Sequence, residues 1–217
     1  FASWMGDKAV DHLFPDWEIW TQFLYGDTAS ALNLDGLTTS HPIEQEVTNP
    51  AEIGQLFDAI SYSKGGSVLR MLEDYVGADT FRAGLHRYID QHAYNNAKGS
   101  HLWGAINIDA NKNSSGSVVS VTELMEAWIK QVGYPVVKTT VNRSGTSTEI
   151  ALSQSRFLYD HLLNVDTDDS VWPIPISFVQ AQSPLRTKKM MTDTHTRVSA
   201  AAHDGWLKLN AGQTGFY

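Results

Sequence analysis

The sequence contains no cysteine among its 217 residues. This absence excludes disulfide bonds, zinc sites built from cysteine ligands and cysteine nucleophiles. It also fits a reducing compartment such as the cytoplasm, although composition does not fix the location. Two Asn-x-Ser/Thr sequons begin at Asn113 and Asn142, and they matter only if the protein is secreted.

Positive charge is scarce as well. The chain has 16 Lys and Arg against 24 Asp and Glu, and its formal net charge is −8. No basic run is longer than the pair Lys188 and Lys189, so a phosphate backbone would find few cations and nucleic acid is not an expected partner. No stretch is apolar for long enough to span a bilayer and no signal peptide is visible, so a membrane is not an expected partner either.

Complete catalytic motifs are also missing. The sequence has no His-Glu-x-x-His, no Gly-x-Gly-x-x-Gly, no Walker loop and no Gly-x-Ser-x-Gly elbow. Its eight histidines are scattered, and the pair His86 and His92 has a spacing that puts the two rings on different faces of a helix. The acidic pair Glu44 and Glu46 is typical of a solvated surface. Residue spacing alone therefore predicts no metal ligands and no active site.

What is present is enough apolar sequence for a folded core, with 42% hydrophobic and 18% charged residues. Helical periodicity dominates up to Pro135, and Asn49 and Pro50 form a start signal for a helix whose apolar face includes Phe57. Beyond Pro135, short segments rich in Val, Ile and Thr alternate with turns. They predict six strands at 136–143, 148–157, 171–180, 186–191, 196–200 and 206–209. We therefore expect an α+β multidomain chain, with a helical domain at 1–135 and a small β-sandwich at 136–217.

Function is indicated by a resemblance that extends over the whole chain. Its clearest segment is Asp58-Ala-Ile-Ser-Tyr-Ser-Lys-Gly-Gly-Ser-Val-Leu-Arg-Met-Leu72, and four more segments match in order, at 1–4, at 34–37 with 40–43, at 128–136 and at 206–217. These segments resemble motifs of the aminopeptidase N and puromycin-sensitive aminopeptidase family, which are gluzincin zinc aminopeptidases. The resemblance implies the helical second half of a thermolysin-like catalytic domain followed by a β-sandwich.

One catalytic residue follows from the resemblance. Tyr62 matches the family tyrosine that donates a hydrogen bond to the oxyanion of the tetrahedral intermediate. A neutral phenol suits this role, because its ordinary pKa of about 10 keeps it protonated at neutral pH. The neighbours Lys64, Gly65 and Gly66 are expected to shape the turn that presents Tyr62, and no substrate-binding residue is assigned.

The resemblance also implies what precedes the chain. In the family, two histidines and a glutamate hold the zinc, and the last of them would lie two residues before Phe1. We therefore expect zinc in the parent enzyme, peptide substrates for it, and no metal ligand and no activity in this chain alone. Two alternatives stay open at this point: a binding or structural role for the fragment, and a nicked enzyme whose N-terminal half is a separate polypeptide.

Overall fold

The fold was analysed in a computed structural model, which describes residues 1–112, 120–145, 147–159, 168–181, 183–201 and 205–217. Helices occupy its first part and strands its second. The sequon at Asn113 lies outside the described residues, as do residues 113–119 of the polar run 109–119, whose composition predicts an exposed loop. Residues 109–112 belong to a helix instead. The helices are α1 (Ala2–Leu13), α2 (Ile19–Phe23), α3 (Ala29–Asp35), α4 (Gly65–Val76), α5 (Ala78–Gln91), α6 (Gly99–Lys112) and α7 (Val121–Lys130).

The predicted strands are confirmed, with boundaries that move by at most a few residues. They are β1 (Pro135–Ser144), β2 (Ser147–Arg156), β3 (Ile174–Gln180), β4 (Ser183–Met191), β5 (His195–Ala201) and β6 (Leu207–Leu209). They form two antiparallel three-stranded sheets in the orders β1-β2-β5 and β4-β3-β6. Helices and sheets in one chain make the fold α+β.

The helical part and the sheets share one hydrophobic core. Buried residues from both regions form a single connected cluster that extends from Trp4 to Phe216. Trp128 of α7 lies at the junction, where it is fully buried and its indole N–H donates to the carbonyl of Pro173 at 2.9 Å. Its ring also packs near Trp172, with 6.3 Å between the centroids. Because the indole has both apolar contacts and a hydrogen-bond partner, its burial is favourable.

Helix α4 carries the apolar face that its sequence predicts. Val68, Leu69, Met71 and Leu72 are buried, and the helix ends before Gly77 at a φ of 89°. A helix of this length is stabilised mainly by burying such a face. This packing fixes the position of α4 and of the turn, Ile60–Lys64, that immediately precedes it.

Two local predictions differ from the structure. Residues 50–56 form a 3₁₀ helix capped by Asn49, and Phe57 is 68% exposed instead of lying on a buried helical face. A 3₁₀ helix turns faster than an α-helix, so an apolar set spaced for the α period does not stay on one side. The run Ser120-Val-Thr-Glu123 predicts a capping box at the start of a helix. Ser120 does precede α7, but its side chain makes no capping bond, and the side chain of Asn107 accepts the Val121 N–H at 2.9 Å instead.

The described helices include none that is both long and apolar enough to cross a membrane.

Helices α5 and α6 approach closely at Gly84. A Cβ on Gly84 would lie 2.5 Å from the Cα of Ile106, whereas a Cβ on Gly6 of α1 would meet nothing within 4 Å. We expect Gly84→Ala to destabilise the protein by about 1–3 kcal/mol through overpacking. Gly6→Ala, the matched control, should stabilise it by about 0.5–1 kcal/mol by lowering the entropy of the unfolded chain. Urea unfolding measures both, and a neutral Gly84→Ala variant would contradict the close approach.

Candidate functional site

Tyr62 lies in a π-helical turn, Ile60–Lys64 (the tyrosine turn), that runs directly into α4. The amides of Ser63 and Lys64 both donate to the carbonyl of Ala59 at 2.9 Å, so the turn holds one residue more than an α-helix would. The Tyr62 side chain is 50% exposed, and its ring lies 6.2 Å from the ring of Phe57. The phenol is therefore carried by a hydrogen-bonded turn of backbone while remaining accessible.

Asp58 anchors the upstream end of this turn. One carboxylate oxygen accepts hydrogen bonds from the amides of Ile60 and Ser61, each at 3.0 Å. The other lies 2.7 Å from Nε2 of His41. Two backbone amides at the start of a helical turn have no partner within the turn, so this carboxylate caps them.

The ring of His41 has oxygen acceptors at both nitrogens. Nδ1 lies 2.8 Å from the carbonyl of Pro42, and Nε2 faces Asp58. Only the doubly protonated imidazolium donates to both. Burial lowers the pKa of His41, but these hydrogen bonds and the charges of Asp58 and Asp35 outweigh it, so the pKa lies above 6.5.

The pKa of Asp58 moves the opposite way. Burial raises it, but the hydrogen bonds from Ser61, His41 and Ile60 together with the His41 charge have the larger effect. The pKa of Asp58 therefore lies below 3.8. The two shifts describe the same contact, which favours the charged form of both groups.

Lys64 anchors the downstream end of the turn. Its side chain is completely buried, and its ammonium lies 2.9 Å from a carboxylate oxygen of Asp35, which is also completely buried. The ammonium further donates to the carbonyls of Gly133 at 3.0 Å and Gln131 at 3.3 Å. Burial lowers the pKa of Lys64, an effect that Asp35 partly offsets.

Asp35 in turn is held by groups from two other segments. Its second carboxylate oxygen accepts from the hydroxyl of Ser40 at 2.7 Å and from the amide of Gly133 at 3.0 Å. Because both charges are paired and hydrogen-bonded, the buried pair is tolerated. The tyrosine turn is thereby fixed to the end of α3 and to the connection between α7 and β1.

Ser63 of the turn and Gly66 of α4 contact the π-helical turn at Leu24–Thr28 and α2, respectively. The hydroxyl of Ser63 donates to Asp27 at 2.8 Å, and a Cβ on Gly66 would lie 3.3 Å from the ring of Phe23. Gly66 therefore permits a close helix contact. Gly65 has φ −55°, and a Cβ there would meet nothing within 4 Å. The prediction that both glycines shape the turn is therefore wrong for Gly65, where a residue with a side chain would also fit.

The sequence did not reveal the contacts of Arg70 or of Asp35, the partner of Lys64. The position of Arg70 in a helical motif predicts pairing on the helix surface. In the structure its guanidinium lies 5.0 Å from the ring of Trp20 and donates to the carbonyls of Gln213 and Gly212. Asp35 lies in the motif segment 34–37, from which the sequence predicts no role for it. The signal that could have revealed it is a charged residue inside apolar helical sequence, since such a residue needs a buried partner.

The described residues do not fit a zinc ion. Within them, no group of three or more His, Asp or Glu side chains is close enough to hold a metal. His92 and His101 stack with parallel rings 4.6 Å apart, an arrangement in which the rings face each other instead of converging on an ion.

The geometry at Tyr62 suits one kind of chemistry. An accessible phenol donates one hydrogen bond, and a donor fixed in advance stabilises developing negative charge on an oxygen. Tyr62 is the only predicted site residue, and its turn joins three of the motif segments that the resemblance identified, through Lys64, Asp35, Ser40, His41 and Gly133.

Residues 1–128 match the Peptidase family M1 domain. Over its full length the chain is 41% identical to a Tricorn protease-interacting factor F2 of Thermoplasma volcanium and covers 25% of that protein. It is 40% identical to an Aminopeptidase M1 of Arabidopsis thaliana, again covering 25%, and 35% identical to an Aminopeptidase 2 of Candida albicans, covering 22%. The chain thus spans about a quarter of the length of these curated relatives. Together with the five motif segments, these matches show that the chain belongs to peptidase family M1, a family of zinc aminopeptidases.

Proposed function

We propose that this chain forms part of a zinc aminopeptidase that removes single residues from the N-termini of peptides, and that Tyr62 stabilises the transition state. The phenol would donate a hydrogen bond to the oxyanion formed when water attacks the scissile carbonyl. The observation that carries this proposal is the half-exposed Tyr62 side chain on a turn that is fixed at both ends.

Rigidity is the physical reason for assigning the role to this tyrosine. A donor that is already in position loses little entropy when the oxyanion forms, so its hydrogen bond favours the transition state over the substrate. Asp58 and Lys64 bracket Tyr62 within seven residues and fix its backbone on both sides. Tyr94, by contrast, is fully exposed and has no comparable anchors in the described contacts.

We extend the proposal to the domain arrangement. Residues 1–135 would be the helical second half of a thermolysin-like catalytic domain, and residues 136–217 a β-sandwich. The sheets support this because apolar residues of both, including Leu152 and Ile176, line one cavity of about 180 Å³. In β2, burial alternates along the strand, as expected for a sheet with one face turned toward a partner layer.

The zinc of the intact enzyme would be held by residues outside this chain. When bound there, zinc supplies an activated water as nucleophile. The residues of this chain would contribute the phenol donor and its support. Within the described parts no group of three or more His, Asp or Glu side chains is placed to hold a metal ion, and the general base would also come from outside this chain. We therefore propose that the 217 residues alone are inactive.

Two alternatives remain as outcomes of a test. Exposed aromatic rings such as Phe14 and Trp17, which stack 4.6 Å apart on the surface, would favour a binding role for the chain by itself. A nicked enzyme would instead require a companion polypeptide that carries the zinc ligands.

For the intact enzyme, we expect Tyr62→Phe to lower kcat by roughly 10²–10³-fold, because the oxyanion loses its donor. Zinc content, measured by metal analysis, should not change, since the phenol is not a ligand. Tyr94→Phe is the matched control and should leave kcat unchanged. Near-normal turnover in the Tyr62→Phe enzyme would remove Tyr62 from the mechanism.

The purified chain of 217 residues tests whether these residues alone bind zinc and hydrolyse a substrate. We expect no stoichiometric zinc by metal analysis and no hydrolysis of an aminoacyl-anilide substrate. Zinc and activity that appear only with a copurified companion chain would favour the nicked enzyme. Coordination of zinc by these residues alone, together with hydrolysis, would overturn the proposal.

The contact between His41 and Asp58 makes the tyrosine turn sensitive to pH. Because the pKa of His41 is raised, its stabilisation is complete below 6.5 and is lost as pH rises through the higher folded value. Because the pKa of Asp58 is lowered, its contribution is complete above 3.8 and is lost as pH falls through the lower folded value. Both contributions are thus present together between pH 3.8 and 6.5.

We expect Asp58→Asn to destabilise the protein most within this window and less above it, since the amide keeps the capping oxygen but loses the charge. Urea unfolding at several pH values measures the difference, and NMR titration should show the pKa of His41 falling toward 6.5 in the variant. Asp90→Asn, which removes the exposed partner of His86, is the control and should have little effect at any pH. An unchanged His41 pKa would contradict the role of this contact.

A further inference from the structure

The buried ion pair of Lys64 and Asp35 joins the last residue of the tyrosine turn to the last residue of α3, and neither side chain is exposed to solvent. Lys64 follows Tyr62 by two residues in the same turn, and its side chain and that of Asp35 are both completely buried. We propose that Lys64, held by Asp35, is a positioning residue that sets the direction in which Tyr62 presents its hydroxyl. This inference rests on the role proposed for Tyr62.

Stability alone does not explain a lysine at this position. Burying two charges costs free energy that their attraction only partly returns, and apolar residues of similar size are often as stabilising or more so. A buried charge does, however, demand a specific set of partners. The ammonium of Lys64 finds them in Asp35 at 2.9 Å, Gly133 at 3.0 Å and Gln131 at 3.3 Å. The pair therefore provides specificity of conformation.

The tyrosine turn needs such specificity because it departs from α-helical geometry. The amide of Lys64 bonds the carbonyl of Ala59, five residues back, so the turn contains an extra residue. If the turn lost its extra residue and became α-helical, the side chains on one side of it would shift by one residue, which rotates them by roughly 100° about the helix axis. The same slip would pull the Lys64 ammonium away from its buried acceptors. The contacts of Lys64 therefore disfavour the α-helical form of the turn, in which Tyr62 would point in a different direction.

The acceptors are themselves fixed. The amide of Gly133 donates to Asp35, and its carbonyl accepts from Lys64. These two bonds close a network through the connection between α7 and β1. Gly133 has φ 87°, and a Cβ there would lie 2.7 Å from Nε of Arg156, so this backbone conformation is restricted to glycine. The hydroxyl of Ser40 completes the shell of Asp35. The anchor of Tyr62 therefore depends on residues far away in the sequence.

The test is the double variant Asp35→Asn/Lys64→Met in the intact enzyme. It removes both charges together, leaves no unpaired buried ion, and keeps an oxygen that accepts from Ser40 and Gly133. We expect kcat to fall roughly 10–100-fold, because small misplacement of a catalytic group has effects of this size, while KM changes less than about twofold. The matched control Arg87→Met/Asp109→Asn removes the ion pair between α5 and α6 and should leave kcat unchanged.

A double-mutant cycle with Tyr62→Phe separates positioning from general damage. If Lys64 acts through the phenol, adding Asp35→Asn/Lys64→Met to Tyr62→Phe should lower kcat by less than about twofold further. A purely structural pair would lower kcat by the same factor in both backgrounds, and this result would overturn the inference. So would a double variant with normal kcat.

Ser40→Ala serves if the double variant does not fold. It deletes one hydrogen bond to Asp35 without changing any charge, and we expect kcat to fall roughly fivefold in the Tyr62 enzyme and not in the Tyr62→Phe enzyme. Equal kcat values for Ser40→Ala and the wild-type enzyme would overturn the inference. Normal turnover of Tyr62→Phe itself would instead refute the proposed function, so the two failures are distinguishable.

Discussion

The buried contact between Lys64 and Asp35 is the constraint on which the arrangement around Tyr62 depends. It joins the π-helical turn, the end of α3 and the connection from α7 into β1 at one point from which water is excluded. A charge in such a place tolerates few alternatives, because losing one partner leaves the other ion without compensation. The surrounding chain therefore has little freedom to move relative to the tyrosine turn.

The two anchors of that turn differ in character. Asp58 and His41 lie near the surface, with about a quarter of each side chain exposed, so solvent screens their interaction and pH changes it. Lys64 and Asp35 are shielded from solvent and hold the other end. Between them the Tyr62 side chain is half-exposed, an arrangement that suits a fixed donor directed at a substrate oxygen in the proposed enzyme.

Local sequence signals worked where burial follows a simple period. The apolar face of α4 and the six strands could be predicted because side chains at these positions meet one core on one side. Prediction was wrong at Phe57, where a 3₁₀ helix replaced the expected α-helix, and at the start of α7, where Asn107 supplies the cap instead of Ser120. In both cases the deciding contacts come from backbone geometry or from residues distant in sequence.

The sequence by itself determined the α+β composition, the family through its ordered motifs, and the position of Tyr62 within its motif. It could not assign Asp35 or Gly133 to that tyrosine, since the hydrogen bond from Gly133 to Asp35 spans 98 residues of chain. Only the tertiary structure brought Lys64, Asp35 and Gly133 together. The physical reason is that periodicity reports which side of an element is buried, whereas the partner of a buried charge is decided by how distant elements pack.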